Sequence, residues 1–431
     1  MTHGLFSVPS PEGLLWSLCS RADVENYWLA EEGDADTDLI GSVLIQEHNE
    51  DNDFVPFVVR HRDGGELRAI PFYSQQLRGA VGEPADQVRS RLVSGIADEL
   101  RVDALVTVNR ALLGPRKQAS RINAMPIEEG LAAVGLYLRN RGEFPLSEPE
   151  LIRFGVHLQL WAAVRSQLPA GWQWGSALVS HSQHIDRDGP TLLFGSLHER
   201  MVRLLRHRDQ LHVSVNGQQD NDTARAATEA LDYIMVNLVG AFDAAARAAH
   251  LATGLDPSRR HQAGWQKYQW RSEIEPSAPD LADLFAAGAR GAELFKIIRL
   301  LRNTVHGDGL HPIGAHTGGR PRQTLVALPE DDAEDLHRSF TRLGGADEWG
   351  LVRLGDNGIH IEPRRLVERI LPTAFDLLND TLRLTPVHNL SGPQPNRINS
   401  PPSDLAFGPG TRVRACLLLG LPLPPAQESE G

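Results

Sequence analysis

The stretch DTARAATEALDYIMVNLVGAFDAAARAAHLATG, residues 222–254, decides how the rest of the chain is read. It contains no proline, is rich in alanine, opens on an acid suited to N-capping at Asp222 and ends on Gly254, a residue suited to a helix C′ position. Leu231, Ile234, Leu238, Phe242 and Ala245 recur at three- and four-residue spacings, so one face of the expected helix is apolar and needs partners.

Partners are legible on its C-terminal side. Leu294, Ile298, Leu301 and Val305 predict a second helix over about Ala292–Val305, stopped by Gly307. Gln323–Leu328 and Trp349–Glu362 alternate apolar and polar residues, the latter around a Gly355-Asp356-Asn357-Gly358 turn, which reads as a small β insertion. Helix returns over about Pro363–Leu382, with Leu366, Ile370, Phe375 and Leu378 on one side. Together these elements predict an antiparallel helical bundle over 221–384, with the β insertion at about 320–362.

On the N-terminal side the pattern is mixed. Pro149–Gln167 reads as a helix with Leu151, Phe154, Leu158, Trp161 and Val164 on one stripe, whereas Phe54–Arg60, Leu192–Gly195 and Leu211–Val215 read as strands. The turn dipeptide Asn216-Gly217 and the polar residues up to Asp222 place a domain boundary at about 220. Residues 385–431 are dense in Pro, Gly, Ser and Asn and read as a largely disordered tail. Within it Ala415–Leu421 is apolar and reads as a docking strand or intersubunit contact. The fold class expected is mainly α: a mixed α/β N-terminal domain, residues 1–220, followed by the bundle.

Composition narrows the function. The chain has 431 residues and a formal net charge of -12, which argues against a protein that coats nucleic acid without specificity. The charge is uneven: Glu31–Asp53 is acidic, while Arg110–Arg121, Arg200–Arg208 and Arg259–Arg271 are basic. No window approaches the ~20 apolar residues of a membrane span. Met1–Pro11 lacks the features of a secretory signal, and Cys19 and Cys416, without a CxxC pair, suggest no zinc site. A reducing cytoplasm is the expected compartment. No GxxxxGK[ST] loop, GxGxxG turn, GxSxG elbow or kinase signature is present.

The chemistry concentrates at Lys296-Ile297-Ile298-Arg299-Leu300-Leu301-Arg302-Asn303-Thr304-Val305-His306-Gly307. Arg299, Arg302, Asn303 and His306 fall at three-, four- and seven-residue spacings, which puts them on one helix face beside the apolar stripe. Two guanidinium groups match phosphate geometry, and an imidazole titrates near neutrality. That combination suits cleavage of an RNA phosphodiester by its own 2′-hydroxyl, with His306 as general acid or base and no metal or cofactor required.

These residues resemble the motif of the HEPN superfamily, helical-bundle proteins that include metal-independent ribonucleases of bacterial defence and toxin systems. The match lies in Arg302-Asn303 and His306-Gly307 and extends over roughly Asp222–Leu384. In that family four to six residues, the first commonly polar, stand between an arginine and the histidine. Arg299 has six residues before His306; Arg302 has the polar neighbour Asn303 but only three residues before the histidine. Which arginine corresponds stays open. The resemblance implies an endoribonuclease acting on RNA, as a homodimer joining two Arg/His faces.

Other readings remain. Arg200, Arg203 and His207 repeat the same register, and Arg353 stands seven residues before His360. The cluster can equally serve a non-catalytic scaffold that binds a nucleotide, RNA or protein, and the N-terminal domain can carry a protein partner. His181, His184, Asp186 and Asp188, read as a polar loop, would support a metal-dependent hydrolase in the N-terminal half. Asp243 is placed to pair with Arg247 or to orient Arg299 or Arg302 across the bundle.

Overall fold

A computed structural model of the chain describes residues 44–45, 54–60, 66–73, 105–107, 113, 124–143, 155–216, 220–306, 310–315, 323–354, 358–392 and 409–423. The readings of Met1–Pro11, Cys19, Arg110–Arg121, Leu151, Phe154, Gly307 and the turn residues Gly355, Asp356 and Asn357 lie outside them, wholly or nearly so. The described residues are mainly helical, with small sheets. Among them no helix is long and apolar enough to cross a membrane.

The chain divides into two compact units, one of Met1–Pro145 with Leu417–Gly420, the other of Leu146–Cys416 with Leu421–Gly431. In the first, β1 (Leu44–Ile45), β2 (Phe54–Arg60) and β3 (Glu66–Tyr73) form an antiparallel sheet, and β4 (Leu105–Val106) runs parallel to β5 (Ala124–Met125). The strand expected at Phe54–Arg60 is β2. Helix α1 (Ile127–Asn140) follows, and its buried Arg139 donates from Nη1 to the Leu418 carbonyl at 2.6 Å.

The second unit is built around α5 (Asn221–Ala252), which packs against α4 (Gly189–Asn216), α8 (Arg290–His306) and α10 (Pro363–Leu384). Helices α2 (Val156–Gln167) and α3 (Gly171–Ile185) lean on α4. Between α5 and α8 come a 3₁₀ turn (Pro257–Gln262), α6 (Tyr268–Ile274) and α7 (Pro279–Leu284). Leu231, Ile234, Leu238, Phe242 and Ala245 are all fully buried, as the periodicity requires.

The start of α5 differs from the expected one. Asp220, not Asp222, is the N-cap: its side chain accepts from Asp222 N and Thr223 N, each at 2.9 Å, and Thr223 Oγ1 accepts from Asp220 N. This reciprocal box satisfies three amide hydrogens that a cap at Asp222 would leave open. At the other end Gly254 takes φ 75°, the left-handed C′ geometry, and Leu255 N donates to the His250 carbonyl.

Leu192–Gly195 and Leu211–Val215, expected as strands, are helix. Both lie in α4, where Leu193, Leu197, Met201, Leu204, Leu205 and Leu211 are buried at helical spacing. A four- or five-residue apolar run fits either period; the whole 28-residue span shows which one holds. The division expected at 220 accordingly falls inside the second unit, between two helices that pack along their length.

The β insertion begins earlier than expected and encloses a helix. Its sheet has the order β6-β7-β9-β8, from β6 (His311–Ala315), β7 (Gln323–Ala327), β8 (Leu351–Leu354) and β9 (Gly358–Ile361), with α9 (Glu330–Arg342) between β7 and β8. The hairpin around residues 355–357 pairs Leu354 with Gly358. Within the tail, Ala415–Leu421 is not a strand: α11 (Pro409–Leu419) buries Ala415, Cys416, Leu417, Leu418 and Leu419. Five consecutive buried residues use several sides of a helix, as a docked core helix does and a half-exposed strand does not.

Candidate functional site

The site is built from α5 outward. Trp265, 1% exposed, donates from its indole nitrogen to the Phe242 carbonyl of α5 at 2.8 Å and stacks on Phe285 at 4.2 Å. Trp270 donates to His250 Nδ1 at 3.2 Å, which leaves Nε2 as the histidine's donor to the Asp256 carbonyl at 2.8 Å. Arg271 Nη1 reaches the Trp265 carbonyl at 2.6 Å. These bonds fasten the segment 256–271 to α5 and make it one wall of a cleft.

Helix α8 supplies the opposite wall. The cleft, about 190 Å³, is lined by Trp265, Gln266, Arg271, Phe285, Ala292, Phe295, Lys296 and Arg299. Its floor is aromatic, with Phe295 only 3% exposed, and its polar lining is three cations and the neutral Gln266. The three cations differ in their partners. Arg271 holds a carbonyl and Lys296 holds Asp335 at 3.1 Å. Arg299 has no hydrogen-bond or ion-pair partner among the described residues, and its Nε is buried without an acceptor. Leaving a buried donor unsatisfied costs about 1–3 kcal/mol, so an acceptor brought to this Nε would relieve that cost.

Arg302 belongs to a neighbouring arrangement. Its Nη1 lies 3.3 Å from Asn303 Oδ1, an exposed pair. Asp243 of α5 is half-buried, and that burial holds its carboxyl above the usual range; Arg247, Arg302, Arg200 and Lys267 pull it back without cancelling the effect. Arg200 lies close over α5, because a side chain at Gly240 would collide with its guanidinium. Arg302 and Arg200, from helices far apart in sequence, thus both act on the Asp243 carboxyl through their charge, with Arg247 acting more strongly than either.

Comparison with protein families, curated proteins and solved structures returns no match. The chemistry of the site therefore has to be read from its own groups. Of the expected residues, α8 carries Arg299, Arg302, Asn303 and His306; Arg299 enters the cleft, Asn303 is exposed, and His306 is the last residue of the helix, its side chain outside the described ones.

The competing clusters have local partners. In α4, Arg203 Nε pairs with Glu199 at 3.1 Å, and His207 contacts Gln210 at 2.8 Å and stacks on Tyr233 at 4.7 Å. Arg353 pairs with Glu334 at 3.4 Å. His181 and His184 are not on a loop: both lie in α3, with Asp186 as its left-handed C-cap, and His181 Nδ1 is 3.0 Å from the Ser391 carbonyl. Among the described residues no group of three or more His, Cys, Asp or Glu side chains is arranged to hold a metal ion. Trp265, Gln266 and Arg271 were missed as site residues; the basic run Arg259–Arg271 was the available signal.

Proposed function

We propose that the helical unit binds phosphate groups of RNA or of a nucleotide in the cleft headed by Arg299. The observation that carries this reading is the guanidinium without a partner, set among Arg271 and Lys296 over an aromatic floor. Guanidinium is the donor best matched to phosphate oxygens, and a low-dielectric floor strengthens that attraction. A net charge of -12 with a local cationic cleft among the described residues fits recognition of a particular group rather than coating of a polyanion.

Cleavage of RNA is the second reading. It is favoured by the position of His306, four residues after Arg302 and seven after Arg299 on the same helix, spacings that share a face. In that reading His306 moves the proton, Arg299 and Arg302 balance the charge of the phosphorane, and the unit acts as an HEPN-like ribonuclease, paired as a homodimer. Binding is tested by fluorescence anisotropy of a labelled RNA in EDTA, where Arg299→Gln is expected to weaken binding about tenfold; unchanged affinity overturns the proposal. Cleavage is tested by the appearance of 2′,3′-cyclic phosphate ends that His306→Ala abolishes.

A further inference from the structure

We propose that Tyr268 is a stacking platform for a base of single-stranded RNA whose phosphate sits in the Arg299 cleft. The inference rests on the phosphate reading above and adds the ligand class. Tyr268 opens α6 and is 76% exposed, the highest figure for any large hydrophobic side chain among the described residues. The other aromatic residues of the same segment behave in the opposite way: Trp265 and Trp270 are 1% and 3% exposed and form core contacts. The core does not use the Tyr268 ring.

Along the chain it stands close to the cleft. Gln266 lines the cleft and Tyr268 is two residues on, so their Cα atoms lie at most about 7.6 Å apart. Lys267 stands between them, exposed, with its Nζ on the Gln262 carbonyl at 2.9 Å. The segment is held by the Trp270–His250 and Arg271–Trp265 hydrogen bonds, so the ring stands on a fixed base.

Size completes the case. The cleft of about 190 Å³ is smaller than the roughly 300–1,000 Å³ of pockets that enclose a drug-sized ligand. It is of a size for a phosphate group, so the base attached to that phosphate lies outside it, and Tyr268, two residues from the lining residue Gln266, is the exposed aromatic ring nearest along the chain. A paired base presents no free face, so the ligand is a single strand.

The test measures binding of the full chain, in EDTA, to a short labelled oligouridylate and to an abasic oligomer of equal length. Stacking on one aromatic ring predicts that wild type prefers the base-bearing strand about tenfold. Tyr268→Ala is expected to erase that preference without changing affinity for the abasic strand, Tyr268→Phe to retain it, and Arg299→Gln to weaken both strands. If wild type shows no preference, or Tyr268→Ala keeps it, while Arg299→Gln still weakens both, the platform is wrong and the phosphate cleft stands. If wild type binds neither strand, or Arg299→Gln changes nothing, both fall.

Discussion

Two helices of this protein carry the same register of arginine and histidine and put it to different use. In α4, Arg200, Arg203 and His207 repeat the spacing of Arg299, Arg302 and His306 in α8. Arg203 and His207 find Glu199 and Gln210 within their own helix, and Arg200 bonds Ser196 at 3.3 Å while lying over Gly240. Arg299 finds no partner and faces a cleft. Spacing brings such groups to one face; whether they form a site depends on which of them the fold leaves unsatisfied.

The difference is made by the wall that α8 faces, so breaking that wall should have the largest effect. Trp265→Ala removes a buried ring stacked on Phe285 and the bond to Phe242, and is expected to destabilise the protein by about 3–5 kcal/mol in chemical denaturation.

The α4 side should instead respond to acid through stability. Burial, with Arg165 nearby, lowers His198 from 6.5 to about 4, and burial also lowers His207. A histidine depressed in the folded state binds fewer protons there than when unfolded. Its stabilising effect is therefore complete above 6.5 and is lost as pH falls through the folded value. Denaturation at about pH 7 and about pH 4 should differ by about 2 kcal/mol through His198, and His198→Phe, placed between Trp161 and Phe194, should flatten that difference. An unchanged profile would contradict the assignment.

Arg299→Leu sharpens the contrast from the other helix. Removing a buried donor without a partner should stabilise the free protein by about 1–2 kcal/mol, visible as a raised denaturation midpoint, while removing phosphate affinity. Arg203→Gln, which breaks an exposed i,i+4 pair, should change stability by less than about 1 kcal/mol.

Much of this architecture could be read from residues. The stripe Leu231, Ile234, Leu238, Phe242 and Ala245 located the central helix, and Leu366, Ile370, Phe375 and Leu378 located α10, because helices packed on one side repeat a single period. Helix α4 was hidden because Leu192–Gly195 and Leu211–Val215, taken as short windows, suit two periods. Its partner's cap was misplaced by two residues because Asp220 and Asp222 are the same residue type, and only Thr223 decides between them.

For the site, the spacing of Arg299, Arg302 and His306 was legible, and the cleft was not. Trp265, Arg271 and Arg299 meet through the fold of the intervening chain, and no local pattern records that Trp265 will reach the Phe242 carbonyl. Nor does spacing show that Arg302 and Arg200 both act through their charge on Asp243. The two registers differ in the partners that the fold gives each charged group.

The most direct test of the account is the salt dependence of RNA binding in wild type, Arg299→Gln and Arg203→Gln. The account predicts that Arg299→Gln lowers affinity and flattens the plot of log affinity against log salt by about 0.7, the loss of one phosphate contact to a single strand, while Arg203→Gln follows wild type. Equal slopes for all three proteins, or a larger loss from Arg203→Gln, would contradict it.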